Sequence, residues 1–235
     1  MDFDVSSKVE RRGVLAGMLL GAGRKRGPNF FIQHPAHLRD YVCFKQALLE
    51  DITQKPVSLR EIATARRGQR LLCLAPKLVP LTRVMVKRRY QGDRAWVTRP
   101  FLNTLTVQGL AIWLMDCGSQ RLKKGSQNRV RALEVVLDAR VSWAENQEIA
   151  TYFAEVWGFR WGLARSRERS WLRLGTREGK RFLQFLAPYW HESHRLYNAL
   201  MQGQATDNVN GRHLQIVAPA VSFVESATDP STVKE

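Results

Sequence analysis

Two stretches decide the fold: Leu15-Ala16-Gly17-Met18-Leu19-Leu20-Gly21-Ala22-Gly23 and Leu110-Ala111-Ile112-Trp113-Leu114-Met115-Asp116-Cys117-Gly118, whose first residues stand 95 positions apart. Each reads as a short helix, apolar around almost its whole circumference and closed by glycine. A helix without a polar face is one buried on every side. The first carries small residues at Ala16, Gly17, Gly21, Ala22 and Gly23.

Outward from the first stretch, Arg24 to Gln33 is basic and then apolar at Phe30, Phe31 and Ile32, as a strand entering a sheet would be. His37 to Ile52 carries a helical stripe of Leu38, Tyr41, Val42, Ala47, Leu48 and Leu49. Val57–Ala65 and Leu71–Ala75 predict a hairpin around the tip Arg66-Arg67-Gly68-Gln69, and Pro76 and Pro80 open a helix that runs to about Tyr90. The second stretch repeats the order. A basic segment, Arg121 to Arg129, leads to a strand over Val130–Asp138. Ser142 and Glu145 have capping-box spacing for a helix to Trp157. Arg160–Ala164 and Trp171–Gly175 predict a second hairpin, with Arg165 to Arg169 at its tip, and Thr176–Leu186 a closing helix. Each half therefore reads α-β-β-α-β-β-α, and repetition at this period predicts a pseudo-twofold single chain. The expected divisions are 1–91 for the first repeat, 92–105 for a linker, 106–201 for the second repeat and 202–235 for a partly disordered extension, in which the apolar Leu214–Val224 could pack as a stray strand.

Charge narrows the partner. The 235 residues hold 37 Lys plus Arg against 21 Asp plus Glu, a formal net charge of +16. Clustered cations gain free energy by displacing counterions from a phosphate backbone, so nucleic acid is the expected partner, with a membrane surface and a ribosomal site as the bland alternatives. Seven Trp and 44% hydrophobic content argue for a packed core. Cys43, Cys73 and Cys117 form no CxxC pair, so neither a zinc knuckle nor a disulfide framework is expected. Lys8, Arg11 and Arg12 ahead of Val14–Ala22 imitate an export signal. The apolar run is short, however, and Arg24-Lys25-Arg26 follows it directly, so an intracellular protein is expected, in a bacterial cytoplasm or nucleoid or in an organelle.

The two quoted stretches resemble the paired motifs of LAGLIDADG homing endonucleases, Leu105 to Gly118 most closely, and the likeness continues to Phe182-Leu183-Gln184-Phe185-Leu186-Ala187-Pro188-Tyr189, about residues 10 to 190. The resemblance implies an α+β fold of two α-β-β-α-β-β-α repeats with a saddle of antiparallel strands. It also implies motif helices paired at the pseudo-twofold axis, with an acid before each final glycine to hold the divalent cations that cut a phosphodiester. Here those positions are Ala22 and Cys117. Alanine offers no ligand and a thiol is a soft one, poorly matched to Mg2+. Asp116 is one residue early, which rotates it by about 100° and should turn it toward local hydrogen bonds near the helix end. No acid lies between Glu10 and Asp40.

The resemblance thus implies binding without cutting: a monomeric, sequence-specific double-stranded DNA-binding protein, a regulator or an accessory subunit recruited into a larger nucleoprotein complex, with no cofactor. The alternatives are an RNA-binding intron maturase or splicing cofactor, and a residual nuclease using Asp116 and Mg2+. Candidate contacts in the first half are Arg24, Lys25, Arg26, Gln33, Arg60, Arg66, Arg67 and Arg70. In the second half they are Arg121, Lys123, Lys124, Gln127, Asn128, Arg129, Arg131, Arg165, Arg167, Arg169 and Arg173. The pair His191 and His194 lacks further ligands and reads as packing or surface. Of Trp113, Trp143, Trp157, Trp161, Trp171 and Trp190, most sit on predicted apolar faces and read as core rather than as base-stacking platforms.

Overall fold

Ser7 starts the first helix: its hydroxyl accepts the Glu10 N–H, and α1 runs over Lys8–Leu20. Its first turns carry the basic residues that imitate an export signal, and from Gly13 to Leu20 every residue is buried. The computed structural model describes residues 3–63, 70–124, 130–167 and 169–192, and for 122–124, 130 and 131 the backbone only. The stray strand at Leu214–Val224 and the extension after 202 lie outside the described residues.

Beyond α1 the chain forms a hairpin, β1 (Gly23–Arg26) and β2 (Asn29–Pro35), rather than one strand. The Gly27-Pro28 dipeptide makes the turn, with Gly27 at φ 58°, a backbone conformation that glycine adopts without penalty. Helix α2 (Arg39–Thr53), the hairpin β3 (Ser58–Ala63) and β4 (Arg70–Ala75), and α3 (Pro80–Arg89) complete the first repeat. The second repeats it with α5 (Val107–Cys117), β7 (Gly118–Lys124), β8 (Val130–Leu137), α6 (Trp143–Val156), β9 (Gly162–Arg165), β10 (Ser170–Leu174) and α7 (Thr176–Phe185). The capping box is formed: the Ser142 hydroxyl accepts the Glu145 N–H and Glu145 accepts the Ser142 N–H. Both sheets are antiparallel and share one connectivity, β1-β2-β4-β3 and β7-β8-β10-β9. The fold is the expected α+β arrangement, with helices on one face of each sheet.

The segment 92–105 contributes four side chains to the core. Tyr90–Gln91 (β5) and Arg94–Ala95 (β6) form a small hairpin, α4 (Arg99–Leu102) follows, and Val97, Phe101, Leu102 and Leu105 are buried. The apolar positions in this short stretch lack a sustained period, so the sequence reads it as a connection.

Along the centre of the molecule α1 and α5 touch through backbone. A Cβ on Gly17 would sit 2.0 Å from the Gly109 carbonyl oxygen, and one on Gly109 would sit 2.0 Å from the Gly13 carbonyl. One apolar core runs through both repeats. Trp113, Trp157, Trp161 and Trp190 belong to it, but Trp143 is 39% exposed and Trp171 only half-buried. Each of these two lies beneath an arginine, Arg165 over Trp143 at 5.5 Å and Arg121 over Trp171 at 6.0 Å. Among the described residues, no helix is long and apolar enough to cross a membrane.

Candidate nucleic-acid interface

Strand alternation sorts the candidate contacts, because residues opposite one another in a ladder share a face. In the first sheet Phe30, Ile32, His34, Leu72 and Leu74 point to the helices. The other face carries Arg24 opposite Phe31, Arg26 opposite Asn29, and the row Gln33, Cys73, Arg60. Arg26 and Arg60 are close enough to Cys73 to act on its thiol, whose pKa burial nevertheless keeps above the ordinary value. Lys25 falls on the opposite side of β1 from Arg24 and Arg26, where its amine donates to Asp93 at 2.9 Å. Arg70 likewise shares the far face with Glu61, which it and Arg39 both bond.

In the second sheet Arg121 is opposite Glu134 on the open face, and Arg173 lies there too, 3.6 Å from Glu134. Arg165, opposite the buried Ser170, is on the other side of β9, while Arg167 and Arg169 are exposed at the hairpin tip. Lys123 and Lys124 take their places in β7, and Arg131 in β8, with their side chains undescribed. Arg66, Arg67, Gln127, Asn128 and Arg129 lie outside the described residues, as does His194. His191 packs against Tyr41 and Phe44, and burial lowers its pKa.

Between the sheets, where α1 and α5 end, lies a cleft of about 770 Å3. Ala22 and Cys117 both line it. The Ala22 N–H donates to Asp116 Oδ2 at 2.9 Å. The Cys117 thiol faces the Leu20 carbonyl, and burial together with the neighbouring Asp116 pushes its pKa to about 12. It therefore stays protonated at neutral pH. A methyl group and a neutral thiol do not fit a hard divalent cation, which needs charged or carbonyl oxygen.

Asp116 lines the cleft as well, but its carboxylate is already engaged. Its side chain is fully buried and its partners come from the first repeat, not from its own helix end. Lys45, also fully buried, donates to both carboxylate oxygens at 2.5 and 2.7 Å, and the Tyr41 hydroxyl donates to Oδ1 at 2.9 Å. His34 lies 3.6 Å from Oδ1 and 3.1 Å from the Lys45 amine. Burial alone would raise the Asp116 pKa, but Lys45, His34 and the Ala22 N–H outweigh it and hold the carboxyl below its ordinary value. Burial lowers the Lys45 pKa, against the pull of Asp116. Burial and Asp116 together raise Tyr41 well above the usual phenol value. Asp116 accordingly joins the repeats as a strut. The hint of this in the sequence was Lys45, a charge on the apolar stripe of α2.

A model of the LAGLIDADG DNA endonuclease family matches residues 12–182. The chain belongs to that family. Among curated proteins it is 27% identical over 190 residues to "Protein RecA" of Mycolicibacterium fallax, and 28% identical over 191 residues to that of Mycolicibacterium chitae. Each match takes in 75% of this chain and 43% of the relative, so this LAGLIDADG chain spans less than half of their length. Its fold is shared with the homing endonuclease I-WcaI bound to its DNA recognition sequence (TM-score 0.66, 14% identity, 82% of this chain and 87% of that one). It is shared also with the meganuclease I-SmaMI bound to uncleaveable DNA (TM-score 0.54, 11% identity, 87% and 93%) and with full-length DUF199/WhiA (TM-score 0.50, 12% identity, 89% and 67%).

Proposed function

We propose that this LAGLIDADG protein binds double-stranded DNA with sequence preference along the open faces of its two sheets and does not cut it. The observation that carries the reading is the combination at the end of the motif helices: Ala22 and a protonated Cys117 where the family places its acids, with Asp116 committed to Lys45. Family membership and the fold shared with the DNA-bound I-WcaI support duplex DNA as the ligand. Arg24, Arg26, Gln33 and Arg60 on one sheet and Arg121 and Arg173 on the other supply phosphate and base-edge contacts. The close α1–α5 contact makes a monomer sufficient, since one chain carries both halves of the surface. Such a protein acts as a regulator or as the recognition subunit of a larger DNA-acting assembly, in a compartment that holds DNA.

The test is selection of bound duplexes from a random pool, with cleavage products sequenced from the same incubation in Mg2+ or Mn2+. An enriched motif with uncut strands is the expected result. Reproducible cuts would overturn the loss of catalysis. Preference for structured RNA in direct competition would overturn the choice of duplex DNA.

A further inference from the structure

The wall of the cleft holds a buried cation with unused donors among the described residues, although its guanidinium also lies 5.8 Å from the Tyr90 ring. Arg89 closes α3, is only 4% exposed and lines the cleft, and its Nε and Nη1 are buried with no hydrogen-bond partner among the described residues. A buried guanidinium with unused N–H groups carries a large desolvation cost unless something accepts from it. The carboxylates of the cleft do not. Glu145 is near enough to be felt, but its oxygens accept from the Val97 N–H and from the Ser142 N–H and hydroxyl. Asp116 is held by Lys45, and Asp138 accepts the Arg140 N–H.

Three more arginines line the cleft. Arg24, Arg94 and Arg140 are all exposed, and no ion pair engages them among the described residues. Arg94 stacks on Trp96 at 3.7 Å, which limits its freedom before any ligand arrives. Arg140 is held at φ 53°, in the left-handed region that a bulky residue rarely occupies. The cleft thus combines a planar donor with unused N–H groups in its wall with exposed positive charge at its mouth, the requirements for a tetrahedral oxyanion.

We propose that a backbone phosphate of the bound duplex enters this cleft and is held by Arg89, with Arg24, Arg94 and Arg140 supplying the charge neutralisation that metal ions would otherwise provide. The inference rests on the duplex-binding reading above. Contact at the helix ends is then retained without the chemistry, because guanidinium donors bind a phosphodiester without activating a water.

The test uses the full chain in EDTA and a duplex selected from a random pool. Each phosphate in turn is replaced by an uncharged methylphosphonate, and the series is bound by wild type, Arg89→Gln and Arg140→Gly. For wild type, one or two adjacent central positions should cost roughly tenfold or more in affinity, the scale of a hydrogen bond to a charged group. Arg89→Gln should bind the unmodified duplex more weakly by a similar factor and lose nothing further at those positions. If Arg89→Gln fails to fold, Arg140→Gly should show the same masking, about threefold in size, since an exposed cation contributes less. Effects at every position that add to the variants overturn the inference and leave duplex binding intact. Failure to enrich any duplex removes the parent reading and this one with it. A parallel titration with inorganic phosphate separates the sources: Arg89-dependent phosphate binding without masking assigns the cleft to a free anion, which also overturns the proposal.

Discussion

Asp116→Asn keeps the shape of the side chain and removes the carboxylate that, among the described residues, pairs with Lys45. In the native protein the Lys45 amine reaches both carboxylate oxygens, and neither side chain has any exposed surface. Breaking a buried pair from one side leaves the other charge uncompensated, at a cost of about 3–5 kcal/mol. For a domain of this size each kcal/mol lowers Tm by about 2–4 °C, so a fall of roughly 6–20 °C is expected. Urea unfolding at pH 7 measures it. Acid gives an independent check. The folded-state pKa of Asp116 is depressed, so the stability it contributes is present above the unfolded value and lost as pH falls through the folded one. Asp116→Asn should therefore have a flatter acid limb than wild type. On the alkaline side its stability should rise with pH, because Lys45 without its partner binds a proton less tightly folded than unfolded. A loss under about 1 kcal/mol with unchanged pH dependence would refute the strut, since even the low end of the buried-pair range exceeds that.

Gly17→Ala adds a Cβ where the Gly109 carbonyl stands. The helix-propensity gain of about 1 kcal/mol opposes an overpacking cost near the top of the usual ~1–3 kcal/mol, and a net loss of roughly 1–2 kcal/mol is expected by calorimetry. An unchanged Tm would show that the helices do not meet there. Arg26→Ala and Arg60→Ala should each reduce the salt slope of duplex binding by about one. Lys25→Ala, on the far side of β1, should leave the slope where it is. Ala22→Asp with Cys117→Asp should create a divalent site at the helix ends. Mg2+ at ten times its Kd should then stabilise the double variant by about 1.4 kcal/mol. The same titration should leave wild type unmoved, and equal response of the two proteins would dispose of the idea.

How much of this was legible beforehand depended on distance along the chain. The two motif helices, the order of elements in each repeat, the Ser142–Glu145 capping box and the loss of both acids are local patterns, each contained within a few turns or strands. Hydrophobic period, caps and turn residues act over such spans, so the residues alone carried the elements, while the missing acids were legible only through the resemblance to the family. The Gly27-Pro28 turn was local too, though a basic stretch broken by two residues passed for one strand.

What the tertiary structure decided was partnership. Asp116 and Lys45 are 71 positions apart, and no periodicity says that two charges will meet in the dark of a core. Strand register placed Lys25 away from Arg24 and Arg26, because a shift of one residue reverses the face. Packing turned Trp143 and Trp171 into platforms for arginines, and burial left Arg89 Nε and Nη1 without an acceptor among the described residues. Covalent neighbours set what each segment can become. Only the folded chain, by excluding water from particular pairs, sets what each charge must answer to.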